Sequence, residues 1–402
     1  MSAKVSGKGS AMTIAGHGER LAERLTAALA DPARRERWVV VVLIVYVVLW
    51  TIYAVIAKGS QDVHYDMAEQ YALGQELAFG HAKHPPLVPA VVAAWFAIFP
   101  VADWAYYLLA VTTAALALWI AWRLSERFLD GEKRVVGLAL LTLVPFFNFH
   151  ALKFNQNTVL LPLWAGTTLF FLRSFETRNM LDAALAGVLA AAAIYGKYWS
   201  AMLLLGLGIA ALTDPRRDAY FRSPAPWVTI AAGALVLAPH VAWLIANNFL
   251  PFSYAFATHS ATSMLAVALS TLTYLLGAFA YVGVPVILAL VALQPDRAAA
   301  HDMLWPATPE RRLAVVAFWA PLLVPIVVAL AARFSLTSLW TMSAWTLLPV
   351  VLLSSPLTEL KERFAPVIVA AAVIVPCVML AAAPGVAYWV HRTGVTLSLI
   401  HI

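Results

Sequence analysis

Four side chains able to move protons or grip anions fall within one short stretch near the start of the chain. They are Asp66 and Glu69, then Lys83 and His84 ahead of Pro85-Pro86-Leu87. A carboxylate takes up a proton or holds a cation, while an ammonium beside an imidazole attracts phosphate. From Tyr65 to Phe79 the one Gly or Pro is Gly74, and the near-helical spacing of apolar residues predicts a helix. Residues three apart share a helix face, so Asp66 and Glu69 would point the same way. The set admits a divalent-cation site on Asp66 and Glu69, a general base, or a phosphate grip. It is equally compatible with a solvated amphipathic loop carrying incidental ion pairs. Asp62 is placed to share the acidic role or to cap a helix starting near Val63. Pro85-Pro86 pins the backbone, and Trp95, Phe96 and Phe99 predict a second segment lying in a membrane interface.

The elements that must position these groups are membrane helices. The chain is 62% apolar and 12% charged, with a mean hydropathy of +0.80, far from the roughly 25% charged residues of soluble domains. Trp38 to Ala57 carries no charge over twenty residues, enough to cross about 30 Å of hydrocarbon. Further spans are read at roughly 103–122, 135–149, 157–172, 180–195, 198–212, 227–246, 264–293, 313–332, 338–354 and 365–384. The fold class is therefore all-α and polytopic, with about 11 transmembrane helices. The 1–37 tail lacks a short apolar region with a cleavage site, so Trp38–Ala57 reads as the anchor. Gly18 to Arg37 is compatible with a surface helix or with a disordered tail. The 385–402 tail is too short for a core of its own, and the single Cys377 excludes an internal disulfide.

Charge fixes the orientation. Of the 27 Lys and Arg, 21 fall in the 1–37 tail and the alternate loops that share its side. The other side holds Lys58, Lys83, Lys153, Lys197, Arg333 and Arg392. By the positive-inside rule the tail is cytoplasmic and residues 58–102 form the first outer loop. The +6 net charge is thus topological, directed at anionic membrane lipids and not at nucleic acid. The odd polar residues gather on the outer side: Asp62, His64, Asp66, Glu69, Lys83 and His84; Asn148, His150, Lys153, Asn155, Gln156 and Asn157; the Gly196-Lys197-Tyr198-Trp199 corner; and Asn247, Asn248, His259 and Ser260. A site assembled there from several loops is the economical reading.

The order Asp66-x17-His84-Pro85-Pro86-Leu87, Phe154-Asn155-Gln156-Asn157, Gly196-Lys197-Tyr198 and Pro239-His240-x2-Trp243-x3-Asn247 resembles membrane glycosyltransferases of family 39. These are the protein-mannosyltransferase and aminoarabinose-transferase group, of the GT-C fold class. The resemblance covers roughly residues 40–260, with a weaker echo from Trp340 to Pro349. It implies transfer of a sugar from a polyprenyl-phosphate carrier to a lipid, glycan or protein acceptor at the outer, periplasmic face of the cell inner membrane. It also implies Asp66 as the base, and a GT-C bundle with short interfacial helices in the first outer loop. Lys83, His84 and Lys197 then become candidates for the phosphate, with a divalent cation as the alternative. Asn157, Tyr198 and Asn247 are further binding candidates.

Departures from the family pattern bear on the metal. Relatives often carry adjacent acids, whereas here Met67 follows Asp66 and the second carboxylate waits until Glu69; a further acid of some relatives is Asn157 here. Local readings compete at each position. Lys197 is placed to snorkel, Asn157 to cap the following helix, and Tyr198 and Trp199 to anchor in an aromatic belt. The rival functions are a lipid or glycan transporter or flippase, and a non-catalytic assembly subunit. A transporter would show repeats and mid-membrane charges, and the sequence offers neither.

Overall fold

The computed structural model describes residues 20–361 and 363–394. Residues 20–30 form a first helix, α1, whose Ala22 and Leu29 are buried. Then come α2 (Arg35–Ala57), α3 (Tyr65–Gly74), α4 (Leu87–Phe96) and α5 (Asp103–Ser125). After α6 (Gly131–Thr142), α7 (Gln156–Thr177) and α8 (Met180–Gly196), the chain turns into α9 (Ala201–Thr213) and the short α10 (Arg217–Phe221). Next are α11 (Ala225–Ala246), α12 (Leu250–His259), α13 (Met264–Leu293) and α14 (Arg297–Leu304). The last three are α15 (Pro309–Ala332), α16 (Leu348–Leu353) and α17 (Phe364–Thr393). The described residues contain no strand, only one isolated bridge between Ser260 and Phe334.

Among the described residues seven helices, α2, α5, α7, α11, α13, α15 and α17, are long and apolar enough to cross a bilayer. At 1.5 Å per residue, twenty-odd residues reach about 30 Å. Their surroundings differ. The most apolar window of α7 is 83% buried and that of α11 only 11%, so α7 is the central post and α11 lies on the flank with its apolar face outward. The helices α8 and α9, at 17 and 13 residues, are shorter than a full span. Gly187 of α8 lies so close to α11 that a Cβ there would stand 2.2 Å from the Thr229 carbonyl. Small residues at such crossings let backbones approach, and this one brings the middle of α8 against α11.

Two expected spans are not regular membrane helices. The stretch 135–149 is helical only to Thr142, then breaks into a 3-10 turn, Pro145–Phe147. Proline lacks the N–H that would continue the ladder, and Asn148 instead donates its side-chain amide to the Thr142 carbonyl at 2.9 Å. The stretch 338–354 is a 3-10 helix, Ser338–Leu347, followed by the six residues of α16. In it Thr341 bonds back to the Ser338 carbonyl, and Pro349 starts the short helix. The last helix also runs to Thr393, past its expected end at 384. Residues 1–19 and 395–402 of the expected tails lie outside the described residues.

Candidate active site

Within residues 58–102 the expected helix is α3, but it stops at Gly74 instead of Phe79. Its cap is His64, not Asp62: His64 Nδ1 accepts the Asp66 backbone N–H at 3.2 Å. The same Nδ1 lies 3.7 Å from Asp66 Oδ2. Met67, the residue that departs from the family's acidic pair, points inward and is 1% exposed. Its carbonyl accepts from the Tyr106 hydroxyl at 2.8 Å, fastening α3 to α5. This position holds the helix down and leaves Asp66 beside it facing the cavity.

Asp66 Oδ2 accepts the Asn155 side-chain amide at 2.8 Å. Asn155 is the cap of α7: its Oδ1 takes the N–H groups of Asn157 and Thr158 at 3.0 and 3.4 Å, which leaves its amino group directed at the carboxylate. The expected cap, Asn157, has another partner. Its Oδ1 accepts from Lys197 Nζ at 2.8 Å. That ammonium also lies 5.2 Å over the Trp340 ring. Its burial pushes the pKa down to about 7, against the upward pull of Asp66. The snorkelling alternative for Lys197 is therefore not what the side chain does; it turns into the protein.

Glu69 is on α3 as expected, but it serves a second cluster. Lys83 Nζ donates to both of its oxygens at 2.9 and 3.0 Å, and His84 Nε2 lies 3.4 Å away. Burial would lower the Lys83 pKa, yet the Glu69 pairing outweighs it and holds the ammonium charged. Burial pushes His84 down to about 4, aided by Lys83 and Lys197, so it is a neutral hydrogen-bonding group. The two carboxylates thus divide their roles: one is neutralised by a fork of hydrogen bonds, the other is held by an amide.

A cavity of about 450 Å³ opens beside Asp66, lined also by His150, Lys153, Asn157, His259 and Trp340. Burial lowers the pKa of Lys153, with Asp66 opposing, and pushes His150 down to about 4. An anion entering this space would restore full charge to the lysines around it. Of the residues named from the sequence, Asp66, Asn157 and Lys197 converge here, and Glu69, Lys83 and His84 form the adjoining cluster. Tyr198 turns its hydroxyl to His240 Nε2 at 2.9 Å. Asn247 does not join them; its amide closes the end of α11 on the Trp243 carbonyl at 2.8 Å. Sequence reasoning gave no role to Asn155, Lys153, His150, His259 or Trp340. Lys153, His150 and His259 carried only their shared side of the membrane, whereas Asn155 lay in the Phe154–Asn157 motif and Trp340 in the weaker echo from Trp340 to Pro349.

A divalent cation on Asp66 and Glu69 would need further anionic or imidazole ligands around it. Among the described residues no three His, Cys, Asp or Glu side chains gather in a ligand group. Glu69 is occupied by Lys83, and the charges next to Asp66 are the ammonium groups of Lys153 and Lys197. These residues do not fit a divalent cation.

The family model described as dolichyl-phosphate-mannose-protein mannosyltransferase matches residues 83–243. The lipopolysaccharide core galacturonosyltransferase RgtB of Rhizobium johnstonii is 24% identical over 369 residues, 87% of this chain and 73% of that protein. Among solved structures, ArnT from Cupriavidus metallidurans in the apo state superposes with a TM-score of 0.56 at 11% identity, over 79% of this chain and 59% of that one. The same protein bound to undecaprenyl phosphate gives 0.55 at 14% identity, over 87% and 65%. The chain thus spans about three fifths to two thirds of the length of the solved structures it resembles. Fold and sequence together bear out the resemblance: the chain has a GT-C-type helical fold like that of ArnT and is similar in sequence to the protein-mannosyltransferase family.

Proposed function

We propose that the chain is a membrane glycosyltransferase that moves a sugar from a polyprenyl-phosphate donor to a lipid, glycan or protein acceptor at the periplasmic face of the inner membrane. The observation that carries this reading is Asp66, presented to a cavity beside Lys153 and the Lys197–Asn157 pair. Asp66 takes the proton of the acceptor hydroxyl as its oxygen attacks the anomeric carbon. The carbon–oxygen bond to phosphate breaks, and its electron pair stays on the departing polyprenyl phosphate. Lys197 and Lys83 meet the charge that grows there. The match to a dolichyl-phosphate-mannose family and the likeness to an undecaprenyl-phosphate-bound protein support the class of donor. The basic loops support a cytoplasmic N-terminus; a periplasmic reporter fused at residue 75 that stays silent would overturn that placement.

The sugar is read as an acidic one, a hexuronic acid. Lys153 lines the cavity in addition to the cations assigned to phosphate, with the neutral His150 beside it as a hydrogen-bonding group, and the similar Rhizobium protein is a galacturonosyltransferase. Lipids and polysaccharide extracted from a deletion strain test donor and acceptor together. Loss of one acidic sugar from an envelope glycan is the expected result, and an unchanged glycan profile contradicts the proposal.

A further inference from the structure

The cations assigned to phosphate come from two separate pieces of chain, and one histidine touches both. His240, on α11, is 1% exposed and makes two hydrogen bonds. Its Nδ1 lies 2.5 Å from the Phe79 carbonyl and its Nε2 lies 2.9 Å from the Tyr198 hydroxyl. A carbonyl only accepts, so Nδ1 carries the proton and Nε2 accepts from Tyr198. One helical turn on, Trp243 lies parallel to His240, 5.9 Å between ring centres at 6°. The indole covers Gly80 so closely that a Cβ would stand 2.3 Å from its ring. Residues 75–79 are exposed and Gly80 is buried, so this segment is held at His240 and Trp243. The chain then makes a turn in which the His81 N–H bonds the His84 carbonyl at 3.0 Å. Lys83 sits inside that turn, with Pro85-Pro86 stiffening its far side.

We propose that His240 is a positioning residue for the donor phosphate. It clamps the strap at Phe79–Gly80 and the corner at Tyr198, and so fixes the placement of Lys83 relative to Lys197. No other function is needed from its imidazole, which reaches neither Asp66 nor the cavity lining. The kinetic part rests on the transferase reading; the structural part does not.

The experiment pairs hydrogen–deuterium exchange with transfer kinetics on the full-length protein in nanodiscs. In His240→Ala, backbone amides of residues 77–86 should exchange at least about tenfold faster, while those of α5 and α7 stay at wild-type rates. The donor KM should rise about tenfold with kcat changed by less than about threefold. His240→Asn keeps a donor near the Nδ1 position and should restore most of the strap's protection. Gly80→Ala leaves His240 in place and lifts the strap from the other side, and should reproduce both effects. It stands in if His240→Ala does not fold. Wild-type exchange at 77–86 in the folded variants would overturn the clamp. Faster exchange without a rise in KM would overturn its role in placing the phosphate. A protein with no transferase activity at all, yet with the exchange change, would keep the clamp and refute the transferase reading instead.

Discussion

At the basic end of the bundle, Arg134 lies 3.8 Å over Trp122 and faces Glu36 and Glu126 at 3.6 Å each. Nearby, Arg216 joins Asp214 at 2.9 Å and Glu310 at 2.6 Å, and Arg311 joins Asp302 at 2.8 Å. Each of these three arginines has a carboxylate, and the pairs tie the starts and ends of different helices. At the opposite end, Lys197 donates to a neutral Asn157, Lys153 faces a cavity, and Asp66 is held by the neutral Asn155. Matched charges staple at the basic end, whereas Asp66 and Lys197, held by neutral partners, are poised to meet a ligand; Lys83, paired with Glu69 beside them, is the one matched charge of the site. The same contrast runs through the residue types. Arg, with its fixed fork, does the stapling, and Lys, whose pKa moves readily when buried, lines the site.

The comparison breaks most sharply at Asp66. Asp66→Asn retains the hydrogen-bonding shape but not the basicity, and sugar transfer should fall at least about 100-fold while expression and membrane insertion hold. Full activity of that variant in a membrane transfer assay would remove Asp66 from the chemistry. Next in size is Lys197→Met. Loss of a charge-assisted contact to phosphate, about 1.5–3 kcal/mol, should raise the donor KM roughly 10- to 100-fold, read from initial rates against donor concentration.

The pH profile sharpens the same point. Lys197 titrates near 7 in the free site, with Asp66 raising it and burial lowering it; its charge is present below that pH and lost above. Donor binding should therefore weaken as pH rises through about 7, by up to tenfold per unit. Lys153, His84 and His259 also face this region, but burial drives both histidines down, so they stay neutral across the window. Lys197→Arg should flatten the alkaline limb, and an unchanged limb would assign the titration to another group.

At the stapled end the signature reverses. Arg134→Met should cost about 1–2 kcal/mol, because Glu36 and Glu126 are both over one-third exposed and solvent screens them. Thermal melting in detergent should shift down by several degrees with donor KM untouched. Smallest of all is chelation. With lysines supplying the positive charge, EDTA should leave more than about half of the activity, and abolition would restore a metal to the site.

Much of this division was legible in the sequence, because charge patterning carries topology. The basic loops separated the two ends, and Asp66, Lys83 and Lys197 stood out as polar groups on the site side. What stayed hidden depended on backbone direction. Asn155 and Asn157 are two residues apart and equally suited to cap α7; the turn into the helix decided that Asn155 caps and Asn157 meets Lys197. The stretch 338–354 has the apolar content of a span, yet its Thr341, Ser343 and Pro349 break it into the 3-10 wall that carries Trp340 into the cavity. Apolar content alone does not distinguish a membrane helix from a buried irregular segment. The spacing of Asp66 and Glu69 correctly placed both on α3, and their separate partners came from loops far away in sequence.

The central claim is that the poised end performs sugar transfer with Asp66 as its base. Purified protein in proteoliposomes, given a polyprenyl-phosphate donor with a radiolabelled hexuronosyl group and extracted envelope glycolipid, tests it directly. The account predicts that wild-type protein moves label into the glycolipid and releases polyprenyl phosphate in equal amounts, and that Asp66→Asn does neither. Label crossing the membrane still attached to its carrier, at the same rate in both proteins, would contradict it.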